Sequence, residues 1–242
     1  MKLCIAQTRP AKGDMPQNTV AHIRFIDLAI ANGADLIIFP ELSITGYEPE
    51  LAAELATTPE DSRFDIFQQI SDTRQVTIGI GVPTRTEQGI CIGLVIFQPG
   101  QPRHLYSKKY LHPDEEPFFV SGETTTGLIG GNASIALAIC YEISVPEHSE
   151  NAHKQGAGVY IASVAKSVAG VEKAVDTLSH IASRYSMPVL MANCIGPCDN
   201  FEAGGKSAVW NSKGELAGQL SDTHEGILVF DTETQLVIPG RV

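Results

Sequence analysis

Residues 35–41 read Asp-Leu-Ile-Ile-Phe-Pro-Glu, an apolar run that closes on a proline and a carboxylate. Apolar residues without polar alternation mark a strand buried on both faces, as in a sheet covered by helices. The residues before it agree: Val20, Ile23, Ile26 and Ile30 fall at helical spacing within Pro16–Asn32, and Asn32-Gly33 stops that helix. Lys2–Thr8 reads as a strand ahead of it. Strand, helix and buried strand in succession open an α/β fold.

Beyond this point, Pro49–Arg74 reads as two helices parted by Thr57-Thr58-Pro59, with Thr58 as the cap and Asp61 three residues on. Val76–Val82, Ile90–Gln98 and Arg103–Tyr110 are strand runs joined by turns at Gln88-Gly89 and Pro99-Gly100, which predicts an antiparallel meander. Ala133–Cys140 is another apolar run, followed by a helix from Glu147. Strand Gly158–Ala162, helix Gly170–Tyr185 and strand Pro188–Asn193 follow. Ser207–Asn211 and Gly226–Phe230 read as β, with a hairpin signal in Asn211–Gly214. Parallel-like and hairpin-linked strands together exceed what one sheet of this length holds, so two sheets covered by helices are expected.

The chain has 242 residues, 43% hydrophobic and 19% charged, with no repeat or linker-like shift in composition, so one domain over residues 1–242 is expected. Seventeen basic against 28 acidic residues give a net charge of −11, which argues against nucleic acid and anionic membrane as partners. No apolar run approaches the ~20 residues that span a bilayer, and MKLCIAQTRP at the start carries no evident export signal. Five cysteines, odd in number and sparse, fit a reducing compartment, and a cytoplasmic location is expected.

Three reactive side chains end predicted strands: Glu41, Lys108 and Cys140. Loops at strand carboxyl ends converge on one rim of a sheet, so these residues can meet in a pocket. A thiol of ordinary pKa, ~8.5, is mostly protonated at neutral pH and needs a base or a cation to become a nucleophile. A carboxylate can take its proton, and an ammonium can stabilise thiolate and oxyanion. Taken singly, each residue has a blander role: an inert core cysteine, a loop-capping glutamate, a solvated lysine.

Three segments occur together and in order: FPELSITGY at 39–47, YSKKYLHPDEEPFFVSG at 106–122 and ICYEISVPE at 139–147. With ANCIG at 192–196 and GGKSAVWNSKGELAG at 204–218, they make the chain resemble the nitrilase, or carbon–nitrogen hydrolase, superfamily in its amidase-like branch. The resemblance implies a four-layer α-β-β-α sandwich with Glu41 as general base, Lys108 as stabilising cation and Cys140 as nucleophile. Tyr106 and Leu111 frame the lysine motif and select Lys108 over Lys109. Glu115, spaced from Phe118, Phe119 and Gly122, is implied as a second acidic site residue, with Glu116 as the register alternative. The backbone N–H of Tyr141 is implied as an oxyanion donor, and Tyr47 as a substrate-side residue. A homodimer or higher homo-oligomer acting on a small amide-type molecule is implied by the same likeness, and no cofactor is expected.

Glu142, Tyr110 and Lys206 depart from commoner family wording and leave the substrate open among linear amides, dicarboxylic monoamides and N-carbamoyl compounds. A true nitrilase acting on C≡N, and a noncatalytic binding member of the same fold, are the alternatives. Loops 46–50, 112–122 and 163–171 are expected to set specificity; Lys166 and Arg184 are candidates to bind a carboxylate, with solvent exposure the expectation for each. Gly205-Lys206-Ser207 lacks the earlier glycine of a phosphate loop. Cys194 and Cys198 are wrongly spaced for a zinc knuckle, His180 and His224 complete no ligand set, and no metal is expected. A Cys–His protease using His112, His148 or His153 ranks lower, because His148 and His153 sit in a polar helical stretch that reads as solvated surface.

Overall fold

The computed structural model describes residues 1–123, 128–129 and 134–241. Strand β1 (Lys2–Gln7) leads into α1 (Met15–Ala31), whose first turn is capped by Asp14 through Oδ1 to the Gln17 amide at 2.9 Å. Strand β2 (Leu36–Ile38) follows, shorter than the run 35–40. The flanking amides of Asp35 and Phe39 still bond to the Lys2 and Gly79 carbonyls, and Pro40, with no N–H, ends the pairing. The helical stretch 49–74 resolves into α2 (Ala52–Leu55) and α3 (Asp65–Arg74), each preceded by a 3-10 turn. The cap is Asp61 rather than Thr58: Asp61 accepts from the Arg63 amide, and Thr57 Oγ1 donates to its second oxygen. A carboxylate with two oxygens serves both donors.

The expected meander is present as β3 (Thr77–Arg85), β4 (Ile90–Phe97) and β5 (His104–Ser107), with β4 antiparallel to both neighbours. Then come β6 (Ile135–Ile139), α4 (Pro146–Lys154), β7 (Val159–Ser163), α5 (Val168–Tyr185) and β8 (Val189–Ala192). Of the predicted run 133–140, Ala133 lies outside the described residues. A hairpin of β9 (Ile195–Cys198) and β10 (Phe201–Gly204) precedes β11 (Ala208–Trp210), β12 (Leu216–Gln219), β13 (Gly226–Asp231) and β14 (Val237–Gly240). The sequence did not signal β9, β10 or β14, and signalled β12 only through the hairpin turn at Asn211–Gly214. Pro197 and Pro239 weaken the pattern of β9 and β14, and β12 and β14 are edge strands with little to bury.

One sheet runs β14-β13-β1-β2-β3-β4-β5 and a second runs β12-β11-β8-β7-β6. Alternation along the strands divides their side chains between layers. Leu3, Ile5, Leu36 and Ile38 of the first sheet meet Ile135, Leu137, Ile161 and Leu190 of the second in the central core. Cys4, Ile37, Phe39 and Phe97 face the opposite way, under Phe25 and Ile26 of α1 and Phe67 of α3. On the far side, Ala136, Tyr160, Met191 and Trp210 lie under Ala152 of α4 and Leu178 and Ile181 of α5. The result is the four-layer α-β-β-α sandwich anticipated from the resemblance.

Strands β2, β3 and β5 all point one way, since β2 and β3 are parallel and β4 runs antiparallel to both β3 and β5. The carboxyl ends of β2 and β5 therefore share an edge. Ser163, ending β7 in the second sheet, donates through Oγ to the Phe39 carbonyl at the end of β2, a buried bond of 2.8 Å that ties the two sheets at that edge.

Gly81 of β3 packs directly beneath the loop that carries Glu41. A Cβ there would lie 2.4 Å from both the Leu42 nitrogen and the Pro40 oxygen, atoms of backbone that cannot rotate away. Gly81→Ala is expected to destabilise the fold by about 1–3 kcal/mol through overpacking. Denaturant unfolding checks this, with Ala53→Ser, at an exposed position of α2, as the comparison.

Candidate active site

Lys108 follows β5, and its side chain is fully buried. Its Nζ donates to Glu41 Oε1 at 2.7 Å and to Glu115 Oε1 at 2.6 Å, with both carboxylates also buried. Glu115 is held in turn: Tyr47 donates its hydroxyl to Oε1 at 3.0 Å and the His112 amide donates to Oε2 at 2.8 Å. Lys109 and Glu116, the neighbours in register, are exposed. The chain leaves β5 at Lys108, whose carbonyl accepts from the Gly122 amide at 2.8 Å. Gly122 sits so close that a Cβ would approach Ser107 Cβ to 2.3 Å.

Cys140 begins a 3-10 turn, Cys140–Ser144, between β6 and α4, as expected for a strand-to-helix junction. Its φ is +41°, and Leu42, directly after Glu41, has φ +50°. Left-handed backbone at a non-glycine residue is uncommon and costs of order 1–3 kcal/mol unless its surroundings enforce it. Glu142 supplies much of that enforcement at Cys140. Its Oε2 accepts from the Ile139 amide at 2.8 Å and from the Tyr106 hydroxyl at 2.6 Å, while Oε1 accepts from the Lys109 amide at 2.7 Å. One buried carboxylate thus pins the residue before the thiol to the residue after the lysine.

His148 belongs to this bracing and not to the surface, contrary to the reading of its helix as solvated. It is 3% exposed, with Nε2 2.9 Å from Tyr106 Oη and Nδ1 2.7 Å from Tyr160 Oη. Burial holds its pKa below the ordinary value, so it sits neutral between two hydroxyls. His153 is exposed, as read.

Burial raises the Glu41 carboxyl to about 7, against the pull of Lys108 toward the charged form, and the charge of Glu115 adds to the rise. Burial likewise pushes the Cys140 thiol up to about 11; Glu41 adds to this, and Lys166 and Lys108 oppose it. Burial works against the Lys108 ammonium, yet Glu41, Cys140 and Glu115 together keep its pKa above the ordinary lysine value. Glu41 Oε2 is buried without a full hydrogen bond among the described residues, and the Cys140 thiol interacts with the same carboxyl. The oxygen that Lys108 does not hold is thus the one left to accept a proton.

A cavity of about 240 Å³ opens onto Cys140. The three loops expected to set specificity all reach it, through Tyr47, through His112, Asp114 and Glu115, and through Lys166 and Ser167. Phe201 of the β9–β10 hairpin lines it too, packed on the Tyr47 ring at 5.7 Å. Nothing in the sequence pointed to Phe201, because its strand was not recognised. Tyr141 borders the cavity next to His112, ring centroids 5.2 Å apart, and its amide lies in the first turn, where N–H groups have no helical acceptor. Lys166, read as solvated, is half-buried on this wall; Arg184 is exposed as expected. Among the described residues no group of three His, Cys, Asp or Glu side chains is arranged to hold a metal, and no helix is long and apolar enough to cross a membrane.

Comparison with known proteins gives this arrangement a family. A profile described as carbon-nitrogen hydrolase matches residues 2–241, and the chain belongs to that family. Among curated relatives, a glutamine-dependent NAD(+) synthetase of Thermotoga maritima is 28% identical across 96% of this chain. The chain spans only 42% of that relative's length, and a similar share of other such synthetases. A Staphylococcus aureus protein named hydrolase in agr operon is 24% identical over 96% of this chain and 90% of its own. Among solved structures, a mutant of the Nesterenkonia sp. AN1 amidase in complex with butyramide superposes with a TM-score of 0.87 at 23% identity, covering 97% of this chain and 92% of that one. Another form of that amidase carries acrylamide added at its active site cysteine.

Replacing Glu142 by Gln leaves its size unchanged but puts an amide where three donors converge. Glu142→Gln is expected to lose about 1–3 kcal/mol of stability, the range for leaving a buried donor unsatisfied. Denaturant unfolding measures this against Glu150→Gln, a change at an exposed carboxylate of α4.

Proposed function

We propose that this chain hydrolyses a nonpeptide carbon–nitrogen bond in a small amide-type substrate through a thioester on Cys140. The observation that carries this reading is the buried set in which Lys108 bridges Glu41 and Glu115 beside a cavity that ends on the Cys140 thiol. Family membership and the likeness in fold to amidases support it.

A thiol pushed to about 11 holds its proton at neutral pH, so it needs a base, and a carboxyl near 7 is matched to that task. In the first step Glu41 takes the thiol proton as sulfur attacks the substrate carbonyl. The resulting oxyanion is held by the Lys108 ammonium and the Tyr141 amide. The C–N bond then breaks, the nitrogen leaving with the proton that Glu41 returns, and the acyl group remains on sulfur. Glu41 next takes a proton from water, whose hydroxide adds to the thioester. Collapse releases the carboxylic acid and restores the thiol, with Glu41's proton returned to sulfur. Glu115, itself held by Tyr47, holds Lys108 throughout. The same reading takes the working form as a cytoplasmic homodimer that needs no cofactor.

Two outcomes test the chemistry. Ammonia release from a panel of amides, N-carbamoyl compounds and nitriles is expected for the wild type and abolished in folded Cys140→Ser, with intact mass showing an acyl adduct on the wild type that maps to Cys140. Release that survives Cys140→Ser refutes the thioester, and a nitrile turned over in preference to amides moves the reading to a nitrilase. The pH dependence follows from Glu41: its base form is present above about 7 and is lost as pH falls through that value. The profile of kcat/KM is accordingly expected to fall about tenfold per pH unit on the acid side of neutrality. Glu41→Gln removes the activity and the limb together.

A further inference from the structure

We propose that Lys166 reads a carboxylate on the substrate, so that the molecule acted on is a short amide with a second, anionic end. This deepens the amidohydrolase reading above and rests on it. Lys166 lies on the cavity wall with Cys140 and is half-buried. Its backbone is fixed from both sides: its amide donates to Asn193 Oδ1 at 2.9 Å, and its carbonyl accepts from Asn193 Nδ2 at 3.2 Å and from the Gly204 amide at 2.8 Å. Asn193 itself is fully buried. The position of the lysine is therefore set by the core.

The other charged side chains at the cavity already have partners. Glu41 and Glu115 share Lys108, and Asp114 pairs with His112 at 2.5 Å. Among the described residues, the Lys166 ammonium has no carboxylate within ion-pair distance. A partly desolvated cation without a counter-ion favours an anionic ligand. Its neighbours point the same way, since Ser167 and Gly170 line the same wall at the N-terminus of α5, where backbone N–H groups and the helix dipole favour negative charge. The Ser167 hydroxyl oxygen accepts from the Gly170 amide at 3.2 Å and caps the helix, beside the ammonium. A chain with net charge −11 repels small anions at long range, so a local cation is needed to admit one. A cavity of about 240 Å³, at the small end for ligand sites, limits the acyl chain to a few carbons.

The test compares succinamate with butyramide, close in size and different in charge. In the wild type succinamate is expected to have the higher kcat/KM. In Lys166→Met the ratio of the two is expected to fall about 10- to 100-fold, the worth of one charge-assisted hydrogen bond, chiefly through the KM of succinamate, with Lys166→Arg keeping most of it. A wild type that prefers butyramide, or a ratio unchanged in Lys166→Met, overturns the proposal. Where neither amide is turned over, the wider panel above decides the catalytic reading and succinate binding by calorimetry decides this one. Binding at least tenfold weaker in Lys166→Met supports the anion subsite, while equal or undetectable binding in wild type and variant refutes it.

Discussion

One ammonium shared between two buried carboxylates governs this structure. Lys108 is out of water, and a lone buried ammonium would lose its proton. Glu41 and Glu115 keep it charged, yet two carboxylates on one cation leave a surplus of negative charge in a dry place. Burial, with the charge of Glu115 added, raises the Glu41 carboxyl to about 7 against the pull of Lys108, and Glu115 accepts hydrogen bonds from Tyr47 and the His112 amide. Removing any member leaves an unbalanced buried charge, so the cluster is held as a unit.

The site lies on the seam of the sandwich, and that explains the backbone found there. The first sheet contributes Glu41 and Lys108 and the second contributes Cys140, so the site forms only when the two inner faces have met. Polar ties across the seam are specific: Ser163 to the Phe39 carbonyl, and Glu142 to the Lys109 amide. They over-determine the positive φ at Leu42 and Cys140, which isolated loops would relax. Aliphatic packing between the sheets supplies the driving force, and these polar ties supply the register.

Much of this was legible in the sequence. Glu41 and Cys140 each end an apolar run, which announces a buried strand whatever the rest of the fold, whereas Lys108 ends the mixed strand run HLYS and was singled out with the help of the resemblance. The family resemblance pointed to Glu115 and left Glu116 open as the register alternative; the buried contact with Lys108 is made by Glu115. What was hidden depended on contacts between distant segments. His148 lies in PEHSENAHK, a polar helix by any periodicity, and is buried only because Tyr106 and Tyr160 close over it. Lys166 follows a strand end in a stretch of small residues, where exposure is decided by how Asn193 holds the loop. Phe201 belongs to a two-stranded ribbon whose partner strand contains Gly196 and Pro197, residues that erase a strand signal.

In the proposed mechanism the thiol's surroundings also determine where catalytic power comes from. Two cations, Lys166 and Lys108, pull the thiol toward ionisation, but burial and the charge of Glu41 outweigh them and hold it near 11. A preformed thiolate is thereby excluded at neutral pH, unlike sites where a histidinium or an unopposed helix terminus stabilises one. Glu41 opposes the thiolate only while it is itself charged. Once it takes the proton it becomes neutral, the repulsion ends, and both lysines act on the sulfur unopposed by that carboxylate. Proton transfer and stabilisation of the nucleophile are then a single event, and it is available only where the base and the thiol share one low-dielectric space, as the seam between these two sheets provides.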